Sequence, residues 1–186
     1  MKSLIWMVMS CSLLGLMACG SKKSVDELPS GTLTYQAPDN WIEETLSSAM
    51  RQAQFRLPGE STELDAELAV FFFEGSGGSV EANLNRWYGQ FNQPDGRPSN
   101  EVATTEKRRV QRLSVTIASL TGTFVSSMGG MGMGGPVTER PNYAMLAAIV
   151  ETKEGSWFFK ATGPELTVAK HRSEFDDFVK TFRIRS

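Results

Sequence analysis

The chain reads as an α+β sandwich, a mostly antiparallel sheet flanked by two main helices. Three observations predict this. Several segments alternate apolar and polar residues with a period of two, or form short apolar runs, as strands do. Two segments, around 79–91 and 165–182, instead space their large apolar residues three and four apart, as amphipathic helices do. A short turn at Lys153-Glu154-Gly155-Ser156 joins two apolar runs as a hairpin would. Hairpins and helices grouped in this way indicate the α+β class.

Residues 1–18 read as a leader. Lys2 precedes an apolar run from Leu4 to Met17, and the chain turns polar at once in Gly20, Ser21, Lys22 and Lys23. A basic start, a short apolar centre and a small residue at the cut describe a secretory signal peptide. A membrane span needs roughly 20 apolar residues. The run here is shorter and contains Ser10, Cys11 and Ser12. Leu16-Met17-Ala18-Cys19 resembles the bacterial lipobox, in which the cysteine sulfur is acylated and the preceding peptide removed. That resemblance implies lipidation at Cys19, with palmitate-like chains holding the protein on a membrane and the rest facing the periplasm. Gly20, rather than Asp, follows the cysteine, which resembles the pattern for transfer to the outer membrane. Val8-Met9-Ser10-Cys11 is a second candidate, but it leaves only Leu4 to Met9 as the apolar centre.

Removing residues 1–18 of 186 leaves 168, enough for one domain with a real core. The formal net charge of −2 becomes −3 when Lys2 is lost. A mildly acidic, mixed surface argues against nucleic acid, which needs a concentrated basic patch. Cys11 leaves with the leader, so Cys19 is the one cysteine of the mature chain and no disulfide is expected.

Residues 19–31 are small, polar and charged and read as a lipidated tether, with the globular domain spanning 32–186. Thr32 to Pro38 is a short strand stopped by Pro38-Asp39-Asn40, after which Trp41 and Ile42 are expected to fold back over the sheet. Ala49 to Leu57 alternates, with Ala49, Ala53, Phe55 and Leu57 on one face and Arg51 among them. Glu67 to Phe73 contains the continuous apolar run Leu68 to Phe73, ended by Gly75, the mark of a central strand. Ser79 to Phe91 is helical. Val80, Leu84, Trp87 and Phe91 form its stripe, and Ser79 is a good N-cap. Asn92 to Asn100 is loop. Leu113, Val115 and Ile117 alternate, and the apolar set then changes phase to Leu120, Gly122 and Phe124. Such a slip predicts a bulge, so 108–125 is one bent strand or two short ones. Residues 126–140 read as flexible. Tyr143 to Glu151 and Trp157 to Thr162 form a hairpin. Gly163-Pro164-Glu165 opens a final helix with Val168, His171, Phe175, Phe178 and Phe182 on one side.

The pattern Tyr35-x-x-Pro38-x-x-Trp41, the helix in mid-chain and the closing Phe175-x-x-Phe178-x-x-x-Phe182 together resemble the PsbP-like fold, which includes small DcrB-type bacterial lipoproteins. The resemblance covers most of 32–184. It implies a non-catalytic protein, and together with the lipobox the expectation is a membrane-anchored lipoprotein of the cell envelope that binds or supports another envelope component.

Candidate chemistry is sparse. Met128, Met131 and Met133 sit among glycines, and thioethers suit Cu(I). A soft-metal site there is the alternative to a plain spacer, because glycine gives the sulfurs no fixed geometry. Glu74-Gly75-Ser76-Gly77-Gly78-Ser79 precedes a helix but lacks the Lys-Ser/Thr pair of a phosphate loop, and Glu74 would repel phosphate. His171 is the single histidine. A hydrolase triad built on it is a further alternative, but no G-x-S-x-G elbow is present. Asp176 and Asp177 point apart on a helix. Lys107-Arg108-Arg109 with Arg112 is a small basic run suited to anionic headgroups or simply exposed. No cofactor is implied.

Overall fold

The computed structural model describes residues 28–75, 77–127 and 137–185. Cys19, with the leader, and Met128, Met131 and Met133 lie outside the described residues. In chain order the strands are β1 (Thr32–Thr34), β2 (Ile42–Glu43), β3 (Arg51–Leu57), β4 (Ala66–Glu74), β5 (Phe91–Asn92), β6 (Thr104–Val110), β7 (Leu113–Ser127), β8 (Val137–Glu151), β9 (Gly155–Pro164) and β10 (Arg183–Arg185). The helices are α1 (Val80–Tyr88), α2 (Ser99–Val102), α3 (Glu165–Lys170) and α4 (Arg172–Lys180).

The main sheet runs β2-β3-β4-β9-β8-β7, with β5 and β6 both paired to the outer edge of β7. Every neighbouring pair in it is antiparallel. β1 pairs with β10 as a separate two-stranded ribbon that brings the two ends of the domain together. The α+β class with a mostly antiparallel sheet is thus the fold. The apolar run of β4 and the hairpin β8–β9 lie at its centre.

Both faces of the sheet are buried, each by a different helix layer. On one face Leu68, Val70, Phe159, Ala161, Leu146 and Ala148 meet Phe175, Phe178, Val179 and Phe182 of the C-terminal helices and the turn after them. On the other face Phe158, Ile149, Ala147 and Ala118 meet Leu84, Trp87 and Tyr88 of α1. Trp87 and Phe178, both expected inside, are 7% and 1% exposed. Helix α1 begins where the sequence places it, with the Ser79 hydroxyl accepting from the Ala82 N–H at 3.1 Å, but it ends at Tyr88, and Phe91, expected on its stripe, lies in β5.

The Tyr35-to-Trp41 pattern is a packing device. Tyr35 stands edge-on to Phe159 and Phe178, with centroids 5.2 and 5.4 Å away. Trp41 lies 5.1 Å from Phe178, and its indole N–H donates to Glu174 at 3.1 Å. Trp41 folds back as expected, but Ile42 does not. It sits in the edge strand β2 and is 42% exposed.

Four further expectations need correction. The phase change in β7 is no bulge. Register with β8 is continuous from Val115 opposite Val150 to Gly122 opposite Tyr143. Leu113, Val115 and Ile117 bury one face, and Ala118 and Leu120 the other, because the strand passes from beneath one helix layer to beneath the other. The irregularity comes later, between Gly122 and Phe124, where β5 crosses close. A Cβ on Gly122 (φ 154°) would stand 2.8 Å from the Asn92 carbonyl. Secondly, of the two readings of 108–125 the two-strand one holds, but with other bounds, Thr104–Val110 and Leu113–Ser127 joined by a turn at Gln111-Arg112. Thirdly, Ser126, Ser127 and 137–140 belong to paired strands, with Val125 opposite Glu139 and Ser127 opposite Val137. Pro141 and Asn142 fall at the irregular step, where no ladder donor is needed. Fourthly, Gly163 and Pro164 still belong to β9, and the closing helix tightens at His171 into α3 and α4. The bonds from His171 N–H to Thr167 and from Phe175 N–H to His171 carry the two across the step.

Candidate functional site

Helix α1 is short and covers only part of its face of the sheet. Beside it, on the same face, β3, β4, β8 and β9 present a cleft of about 440 Å³. Strand alternation explains its lining. Glu67, Ala69 and Phe71 of β4 lie opposite Thr162, Lys160 and Phe158 of β9, so Lys160 points to the side that α1 leaves open. Arg51 reaches the same side through a register shift. In simple alternation it would sit with Ala53, Phe55 and Leu57 in the other core. An irregular step between Arg51 and Ala53 turns it opposite Phe71, with its guanidinium 5.9 Å from that ring. Arg140 of β8 enters from the far wall, 5.7 Å over the Tyr143 ring.

The charges in the cleft are unevenly matched. Arg56 holds both Glu44 and Asp65, each at 2.9 Å. Asp65 also accepts from the Gly59 N–H at 2.7 Å, and that bond with the Arg56 guanidinium keeps its carboxyl below the usual range. Arg51 Nη1 lies 2.8 Å from Glu67 Oε2, yet without hydrogen-bond alignment, so this buried nitrogen has no aligned acceptor. The Lys160 ammonium donates to a neutral group, Gln90 Oε1. It rests 5.7 and 5.8 Å from the Trp87 and Phe124 rings. Burial pushes its pKa down to about 8. Arg86 pushes the same way, and Glu67 opposes. Among the described residues no carboxylate is within ion-pair distance of Lys160 or Arg140.

His171 is 1% exposed and both its ring nitrogens are engaged. Nε2 donates to the Pro58 carbonyl at 3.0 Å, and Nδ1 meets the Glu174 carboxylate. The ring has no nitrogen left to take a proton from a serine. Its work is to tie the closing helix to the end of β3. Burial pushes the Glu174 carboxyl up, but hydrogen bonds from His171, Asn40 and Trp41 outweigh it and hold the group low. Asp176 and Asp177 point apart as expected, one toward Arg108 at 3.0 Å and the other toward Lys180 at 2.8 Å.

The basic run divides. Arg108 is committed to Asp176 and Glu106. Arg109 and Arg112 instead line a second hollow, about 380 Å³, with Leu28, Pro29, Ser30 and Lys153. This is where the chain joins the domain. Glu154 accepts from the Ser30 hydroxyl at 2.6 Å and from the Gly31 N–H at 2.9 Å, and the Lys153 N–H donates to Pro29 at 3.0 Å. Among the described residues no group of three or more His, Cys, Asp or Glu side chains is placed to hold a metal ion. No helix of the described residues is long and apolar enough to cross a membrane.

Sequence reasoning did not single out Lys160, Arg140 or the cleft. The signal for Lys160 was present. Within Trp157-Phe158-Phe159-Lys160-Ala161 it is one charge in a strand buried on both faces.

No family model matches the chain, and no curated protein sequence matches it significantly. Solved structures do resemble it. Cyanobacterial PsbP (CyanoP) from Synechocystis sp. PCC 6803 aligns over 91% of this chain and 99% of its own, at 14% identity and a TM-score of 0.50. LpqN, involved in cell envelope biogenesis of Mycobacterium tuberculosis, aligns over 85% and 86%, at 9% identity and a TM-score of 0.50. At these identities the likeness is one of fold, and in fold the PsbP-like resemblance holds.

Proposed function

We propose that the protein is a non-catalytic lipoprotein of the bacterial cell envelope, held on the membrane by acyl chains on Cys19, whose domain binds or supports another envelope component. The observation that carries this is Leu16-Met17-Ala18-Cys19 closing a short apolar run behind Lys2. The way the chain joins the domain supports it. Pro29 to Gly31 are hydrogen-bonded to the β8–β9 turn, so the stretch from Cys19 to Pro29 sets the distance to the bilayer, at most about 35 Å when extended. Arg112, an exposed basic side chain, lines that junction, and a basic group near an anionic bilayer contributes about 1 kcal/mol. The two engaged nitrogens of His171 support a non-catalytic reading.

Stable anchoring takes two or more acyl chains, at about 0.8 kcal/mol per buried CH₂. The test is Cys19→Ser followed by membrane fractionation. Release of the protein, or its retention in unprocessed form, is expected. Normal cleavage at 18/19 with the product still on the membrane would overturn the lipobox reading.

A further inference from the structure

We propose that the cleft beside α1 is a binding site for a small organic anion, a phosphate or carboxylate head on an aromatic or alkyl body. Three strands contribute its cations. Lys160 comes from the floor, Arg51 from one wall and Arg140 from the other. The acids of the cleft are already engaged, Glu44 and Asp65 by Arg56 and Glu67 by Arg51. Lys160 and Arg140 have no carboxylate in contact among the described residues, whereas Arg51 Nη1 lies 2.8 Å from Glu67 Oε2. Such an arrangement has donors for an anion and no acid free to repel it.

The body of the ligand has its own surface. Phe71 and Phe124 line the cleft together with Tyr143, and the Phe124 and Tyr143 rings lie parallel, with centroids 6.0 Å apart. Small-molecule sites are hollows of about 300–1,000 Å³, and this one sets charged side chains around the aromatic rings of Phe71, Phe124 and Tyr143. The volume of about 440 Å³ falls in that range. Guanidinium groups bind carboxylate and phosphate with two parallel hydrogen bonds, and an ammonium adds a point charge beneath them. A lysine placed under a helix edge without a counter-ion is a poor choice for stability. It is a good one for receiving an anion from solution.

The site rests on the reading of the domain as a binding module, not on its anchor. The test is a calorimetric titration of the full chain, in a non-ionic detergent, with phenyl phosphate and with benzoate. At least one should bind saturably, while benzyl alcohol should not. Lys160→Met and Arg140→Gln should each weaken that binding tenfold or more. Arg140 is an exposed side chain, so its variant keeps the fold and the second arm stays informative. Dihexanoyl phosphatidylglycerol as a third probe separates the sources. Tighter binding than phenyl phosphate points to a lipid headgroup and weaker binding to a free organic acid, and either supports the site. Cys19→Ser should bind as wild type does, so failure of the anchor and failure of the cleft are distinct results. No saturable binding of either anion, or unchanged affinity in both variants, would overturn the proposal.

Discussion

Replacing Lys160 by Met should stabilise the fold at neutral pH. In the folded chain burial lowers the Lys160 pKa from 10.5 to about 8, with Arg86 adding to the effect and Glu67 opposing it. That depression corresponds to a penalty of order 3 kcal/mol on the charged form. Met fills the same slot over Trp87 and Phe124 but loses the hydrogen bond to Gln90, worth about 1 kcal/mol. Remaining solvent contact trims the gain further. The variant should therefore be about 1–2 kcal/mol more stable at pH 7. The sign of the pH dependence follows from linkage. Between about pH 8 and 10.5 the unfolded lysine still holds a proton that the folded one has lost, so wild-type stability rises with pH there. The gap between the two chains should close as the pH approaches 10. Tyr35, whose pKa burial raises, is common to both chains and cancels. Urea unfolding of both full-length chains at pH 7 and pH 10 measures the difference. A variant less stable by more than about 1 kcal/mol at pH 7, or a gap that ignores pH, would refute the reasoning.

Three other outcomes are expected. Trp87→Ala and Phe178→Ala should each cost about 3–5 kcal/mol in denaturant unfolding, one from each core, and losses below about 1 kcal/mol at both would show that the helix faces are misassigned. The Glu174 carboxyl is held low in the fold, so its contribution is present above its ordinary pKa and disappears as pH falls through the depressed value. Glu174→Gln should flatten that part of the acid unfolding curve, and an unchanged curve would mean that His171, Asn40 and Trp41 do not hold the charge. Changing Met128, Met131 and Met133 together to Ser should leave stability within about 0.5 kcal/mol and leave a Cu(I) competition titration unaltered, whereas tight stoichiometric binding lost in the variant would establish a soft-metal site.

What was legible in the sequence was whatever one buried face imposes on one element. The spacing of Leu84 and Trp87 gave α1 its direction, and Phe175 and Phe178 did the same for α4, because each helix buries a single stripe. The apolar runs of β4 and β9 marked the middle of the sheet. Less could be read where an element serves two neighbours or none. β7 changes its buried face partway, which in sequence looks like a bulge. β6 and the first residues of β8 are exposed and charged, so they carry no alternation and are held by backbone pairing to β7. Arg51 looked like a charge misplaced on an apolar face. One irregular step in β3 sends it to the other side, and no local pattern announces that step. The cleft was invisible for the same reason: Arg51, Arg140 and Lys160 lie far apart in the chain, and only the order β3-β4-β9-β8 brings them together.

The most direct test of the envelope-lipoprotein account is the mass of the mature N-terminus, taken from protein extracted from membranes of the native host. The expected chain starts at Cys19, carries a diacylglyceryl group on its sulfur, and lacks residues 1–18. A chain that retains residues 1–18, or one that starts elsewhere with Cys19 unmodified, would contradict it.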